Sequence, residues 1–130
     1  MLESEKRPLT GRIWYNYPNQ PPGNSGATFP GSIDKPSKIG RVLDNGSTQL
    51  TQYTYNAFGN VTSMTDPLGR ITQYTYAANN QDLLTVTQQT AGGPVTLATN
   101  TWNAQHLPLT ITDAAGQTTT YTYNANGQKT

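Results

Sequence analysis

Gln52–Gln81 reads QYTYNAFGNVTSMTDPLGRITQYTYAANNQ, and Thr99–Gln128 reads TNTWNAQHLPLTITDAAGQTTTYTYNANGQ. Laid over each other without gaps, at an offset of 47 residues, they agree at 13 of 30 positions. The agreements cluster. Asn56-Ala57 recurs as Asn103-Ala104, Thr65-Asp66 as Thr112-Asp113, Gly69 as Gly116, and Tyr74-Thr75-Tyr76 as Tyr121-Thr122-Tyr123. Tyr55 to Tyr76 and Trp102 to Tyr123 are both steps of 21 residues. The 26-residue step between Tyr76 and Trp102 carries an insertion around Ala91-Gly92-Gly93-Pro94. Trp14-Tyr15-Asn16-Tyr17 is an earlier, degenerate copy. Recurrence at a fixed short period marks a repeat array.

Each unit reads as strand, turn, strand, turn. In Ile71–Tyr76 a period of two puts Thr72, Tyr74 and Tyr76 on one face and Ile71, Gln73 and Thr75 on the other. Tyr121 and Tyr123 share a face of the segment that begins at Thr118, and Leu107, Leu109 and Ile111 share a face of the preceding strand. No window has the i, i+3, i+4 recurrence of an amphipathic helix. Asp66-Pro67-Leu68-Gly69 has the composition of a turn. Asp44-Asn45-Gly46 and Asn126-Gly127 are expected to supply the positive φ angles of tight hairpins. The fold class is all-β, built of tandem antiparallel hairpins.

Outward from the repeats, Met1–Thr10 is expected to be a mobile charged arm and Gly11–Tyr17 the first strand. Pro18–Lys38 holds Pro18, Pro21, Pro22, Pro30 and Pro36 and reads as a long loop. Residues 39–130 form the array, in units of about 50–70, 71–98, 99–117 and 118–130. The sequence stops at Thr130 directly after a repeat signature. An edge strand with unpaired backbone groups is therefore expected there, without the atypical capping unit a repeat array needs.

Composition narrows the function classes. Hydrophobic residues are 33% and charged residues 12% of the chain, with eight Tyr and two Trp. Disorder goes with high net charge and few aromatics, whereas Thr and Tyr suit a pleated surface with a wet face. The net charge is +1 and the basic residues are scattered, so no nucleic-acid footprint is present. No apolar run approaches the ~18–20 residues of a membrane helix, and the N-terminus does not read as a signal peptide. The chain has no Cys, which excludes disulfides and thiolate chemistry.

Tyr53-Thr54-Tyr55-Asn56-Ala57-Phe58-Gly59-Asn60-Val61, continuing to Asp66-Pro67-Leu68-Gly69-Arg70, resembles the YD repeat of bacterial Rhs proteins, Tc toxin C components and teneurins. Asn56, Asn103 and Asn124 stand where the family usually has Asp. Ala77 and Trp102 are further departures. The repeat-signature residues are Tyr53, Tyr55, Asn56, Gly59, Asp66, Gly69, Tyr74, Tyr76, Trp102, Asn103, Asp113, Gly116, Tyr121, Tyr123, Asn124 and Gly127. The resemblance implies a coiled β-ribbon shell that encloses a toxic domain until delivery, often by type VI secretion. The implied partners are the remainder of that shell and its cargo, or further copies joined through edge strands. The implied location is the bacterial cytoplasm before export.

A catalytic centre, a cofactor site and a metal site are not expected. The family associates an Asp-Pro-x-Gly-Leu stretch with self-cleavage, but Arg70 replaces the Leu here and the motif lies inside a repeat, so a turn explains it. His106, the only histidine, falls where Gly59 and Gly127 sit in other copies and is expected in a turn; a lone His is a poor ligand set. Asp34, Asp44, Asp66, Asp82 and Asp113 are expected in turns. Asn45-Gly46-Ser47 and Asn60-Val61-Thr62 fit the glycan acceptor pattern, which matters only in a secretory pathway. The tyrosines are expected to form cross-strand ladders. The alternative reading makes them platforms for a polysaccharide.

Overall fold

The computed structural model describes residues 4–6, 11–18 and 34–130. Its strands are β1 (Ser4–Glu5), β2 (Ile13–Asn16), β3 (Lys38–Val42), β4 (Thr48–Tyr55) and β5 (Val61–Thr65), followed by β6 (Ile71–Tyr76), β7 (Leu83–Thr90), β8 (Gly93–Trp102), β9 (Pro108–Asp113) and β10 (Thr118–Thr120). All ten lie in one sheet in strict sequence order, each antiparallel to the next. There is no helix among the described residues, and the all-β expectation holds. Ser4–Glu5 pairs with Trp14 and Ile13, so part of the expected mobile arm is a strand. The rest of that arm, 1–3 and 7–10, and the loop residues 19–33 lie outside the described residues. β8 runs across the boundary expected near residue 99.

One turn design recurs. In Asn56–Asn60 the first residue's N–H donates to the fifth residue's carbonyl and the fourth residue's N–H donates back to the first. Leu43–Ser47, Asp66–Arg70, Asn103–Leu107, Asp113–Gln117 and Asn124–Gln128 do the same. The fourth residue is left-handed each time: Gly46, Gly59, Gly69, Gly116 and Gly127 at φ 76 to 80°, and His106 at φ 61°. This is a type I turn followed by a left-handed residue that forms a bulge. The expected pair of positive φ angles at Asn45-Gly46 and Asn126-Gly127 is thereby corrected, since only the glycine is left-handed in each. An Asn or Asp at the first position has a physical reason. The Asn56 Oδ1 accepts from the Phe58 and Asn60 N–H groups at 3.0 Å each. Asp66, Asn103, Asp113 and Asn124 repeat the pattern.

Gly116 sits at φ 80° with nothing within 4 Å of where a Cβ would be. Gly116→Val therefore carries backbone cost without a clash, about 1–2 kcal/mol for a left-handed L-residue. Urea unfolding is expected to show that loss for Val and a smaller one for Asn, which tolerates this conformation.

The sheet has no second layer among the described residues. Among the described residues the only buried large hydrophobic side chain is Tyr17, at 7% exposure, and no side chain is fully buried. The accessible surface is 8721 Å², against about 6,700 Å² for a compact monomer of this mass. Leu109 and Ile111 are both more than a third exposed, and Leu107 lies in the turn before β9 rather than on it. Domains ordinarily bury an apolar face against another layer. The described residues form one layer, a single ten-stranded sheet.

Candidate functional site

The aromatic signature sits beside a defect that each repeat reproduces. At Tyr55, Tyr76 and Trp102 the register slips, so that the aromatic residue faces Val61, Leu83 and Pro108 respectively. A bulge of this kind leaves a residue out of the ladder, with backbone groups to satisfy. The next aromatic satisfies them. The Tyr76 hydroxyl donates to the Val61 carbonyl at 2.8 Å, the Trp102 Nε1–H to the Leu83 carbonyl at 2.8 Å, and the Tyr123 hydroxyl to the Pro108 carbonyl at 2.9 Å. At the start of the series Tyr55 donates to the Pro36 carbonyl at 2.6 Å. Tyr76, Trp102 and Tyr123 thus each pin their own segment to the hairpin before it, through a carbonyl at that earlier hairpin's bulge. Burial, and then the neighbouring Tyr53 or Tyr74, raises the pKa of the Tyr55 and Tyr76 phenols above its ordinary value, so both remain donors.

The expected cross-strand ring ladder is not formed. Tyr53 faces Met64 and Tyr74 faces Val86, because Tyr-x-Tyr occurs on every second strand and two strand spacings separate successive rings. The ring pair that does stack is on a single strand, Tyr53 with Tyr55, at 6.3 Å and 25°. These two rings with Pro18, Ser37, Thr54, Asn56 and Ala57 line a cleft of about 540 Å³.

A second set of bonds ties the turns along one end of the sheet. Asn56 and Asn60 both donate through Nδ2 to the Asn80 carbonyl, at 2.9 and 2.8 Å. Lys35 Nζ donates to the Gly59 carbonyl at 2.8 Å. His106 Nδ1 lies 2.8 Å from the Asp82 Oδ2, which also accepts from Asn79 Nδ2 at 2.8 Å. Sequence reasoning put His106 and Asp82 in turns but did not bring them together. The missing signal was the longer turn Ala77–Asp82, which carries no Asx residue at its first position and uses Asn79 instead. Of the other signature residues, Asp66, Gly69, Asp113 and Gly116 form the turns of the opposite end. There Arg70 Nε donates to the Asp66 Oδ2 at 2.6 Å.

Two carboxyl groups are held below their usual pKa. The hydrogen bond from His106 is the largest cause at Asp82, with Asn79 and the His106 charge assisting against burial. At Asp66 burial acts upward and is outweighed by the Arg70 side chain and the Arg70 and Leu68 N–H groups. A depressed folded-state pKa adds stability above the unfolded value of about 3.9 and loses it as pH falls through the folded value. The urea midpoint is therefore expected to be flat for these groups near neutrality and to drop below about pH 4. Asp82→Asn and Asp66→Asn should each flatten that drop. Among the described residues no three His, Cys, Asp or Glu side chains converge to hold a metal.

Among the described residues, a one-layer meander whose bulged hairpins are hooked in series by aromatic donors defines a repeat-built wall. The family model described as RHS Repeat matches residues 40–71, 55–95 and 102–130, and the chain belongs to that family. Its fold is similar to a crystal structure of TcdB2-TccC3-Cdc42, with a TM-score of 0.64 and 15% identity over 92% of this chain and 6% of that one. It is also similar to TcdB2-TccC3 without the hypervariable C-terminal region, with a TM-score of 0.67 and 15% identity over the same shares. The chain spans about 6% of the length of these structures. No curated protein sequence matches it.

Proposed function

We propose that this chain is a length of wall in an Rhs-type shell that encloses a toxic effector domain until delivery. The observation that carries the reading is the sheet itself, which has no second layer among the described residues and whose hairpins are pinned in series. Such a sheet is poor as a self-sufficient core and well suited to enclosing something else. On this reading the work is steric and no residue is catalytic. The partners are neighbouring lengths of the same wall and the enclosed domain. Synthesis is in the bacterial cytoplasm, and export, by a type VI system or another route, carries wall and cargo out together.

Sedimentation of the purified chain across a concentration series, with far-UV circular dichroism on the same samples, tests the wall. Mass and β-signal are expected to rise together as edges pair. A fully β monomer at every concentration counts against the reading. The cleft beside Tyr53 and Tyr55 favours a second reading, a polysaccharide-holding surface, because stacked aromatic rings with Ser and Asn at the rim suit a sugar ring. Glycan screening decides it: binding lost in Tyr53→Ala would put this reading first.

A further inference from the structure

The face of the sheet opposite the pinned aromatic rings carries a threonine grid. Thr75, Thr85, Thr99, Thr112 and Thr118 stand directly opposite one another on five successive strands, β6 to β10. A second rank, Thr101, Thr110 and Thr120, crosses β8 to β10. Residues two apart on a strand share a face, so Thr99 and Thr101, Thr110 and Thr112, and Thr118 and Thr120 form a block of six. Its spacing is about 4.8 Å across the strands and about 6.7 Å along them.

Three properties set this block apart from an ordinary wet face. It carries no charge: Asp113 is the single charged residue in β6–β10, and it faces Ala98 on the other side. A typical protein surface is about a quarter to a third charged. Four of its six hydroxyls are also aligned in pairs. Thr101 and Thr110 Oγ1 are 2.7 Å apart, and Thr112 and Thr118 Oγ1 are 2.8 Å apart. In each pair one O–H is used between the partners, which leaves one O–H and several lone pairs for solvent at fixed positions. Finally, each hydroxyl travels with a methyl, so polar and apolar points alternate on one lattice.

We infer that this threonine block binds the surface of ice, a neutral two-dimensional lattice of hydrogen-bond donors and acceptors. A charged side chain would order water around itself. An uncharged grid of fixed hydroxyls and methyls orders water on the sheet's own repeat, and the ordered layer merges with the crystal. Strand rotation of about 20–25° per neighbour keeps a flat contact to a few strands, so the three-strand block of β8–β10 is the contact and the longer rank is its margin. This property is independent of the wall reading.

The test uses the whole chain, with ice as the probe. Thermal hysteresis and inhibition of ice recrystallisation are measured on samples whose circular dichroism shows the β-signal. Wild-type chain is expected to give both. Thr110→Lys and Thr112→Lys, which place a charge in the middle of the block, are expected to abolish them, while Gln49→Lys on β4 leaves them unchanged. If a Lys variant loses the β-signal, Thr112→Ser takes its place: it keeps the hydroxyl, removes the methyl, and is expected to cut the hysteresis by more than half. Folded wild-type chain without hysteresis overturns the proposal. Full activity in the Lys or Ser variants overturns it equally.

Discussion

Trp102→Ala is expected to lower the unfolding free energy by about 3 kcal/mol, the low end of the range for truncating a large aromatic, because the ring is half-buried. Two losses combine. The ring leaves the space beside the bulge at Pro108, and the Leu83 carbonyl loses its 2.8 Å donor. Asn100 Nδ2 also donates to that carbonyl, at 3.1 Å, so the acceptor is not stranded. Trp102→Phe largely separates the two effects, since it keeps a large aromatic ring while removing the N–H and a smaller part of the apolar area. Its expected cost is about 1 kcal/mol, a typical net hydrogen bond. Urea unfolding checks both: the midpoint should fall in the order wild type, Phe, Ala, with little change in slope. Equal midpoints for Phe and wild type would show that the indole N–H contributes nothing to the pinning.

Asn56→Ala is expected to cost about 2 kcal/mol, from three hydrogen bonds worth roughly 0.5–1.5 kcal/mol each. Two of them build the turn through Oδ1, and the third, from Nδ2, ties that turn to the Asn80 carbonyl. Asn56→Asp keeps the first two and loses the third, so it should fall between. Asn124→Ala is the internal comparison. Its Oδ1 makes the same two turn bonds, but its Nδ2 reaches only Gln128 within its own turn. With that exposed Gln128 contact worth little, two of the three bonds remain at stake and the expected cost is about two-thirds as much. A cost as large as that of Asn56→Ala would mean that the tie between turns adds nothing.

The two turn residues also show what was legible in the sequence. The family's usual Asp and this chain's Asn56, Asn103 and Asn124 are interchangeable for turn building because either supplies Oδ1, so the repeat could be read through the substitution. The strand-turn alternation and the faces of Tyr74 and Tyr76 followed from a period of two. The bulges did not. Nothing local in Thr54-Tyr55 or Thr75-Tyr76 announces a register slip, which arises from pairing with a strand that lies beyond a turn. The destination of the Tyr76 hydroxyl was hidden for the same reason: the Val61 carbonyl is a neighbour only once the bulge exists. The Asp82–His106 pair belongs to two turns 24 residues apart and needs the longer Ala77–Asp82 turn to bring the carboxylate forward.

The strict order of β1 to β10 has a consequence for how the chain comes into being. Among the described residues strand contacts join only consecutive strands, so no strand there waits for one far along the chain. Proteins dominated by such short-separation contacts fold quickly, because little loop entropy is lost before a contact forms. Synthesis proceeds at about 5–20 residues per second, so a 21-residue step takes roughly one to four seconds to emerge. Each hairpin then has time to set its turn and donate its aromatic hydrogen to the hairpin already in place. The topology thus allows rows to be added in the order of synthesis, each finished hairpin holding the carbonyl that the next aromatic donor takes.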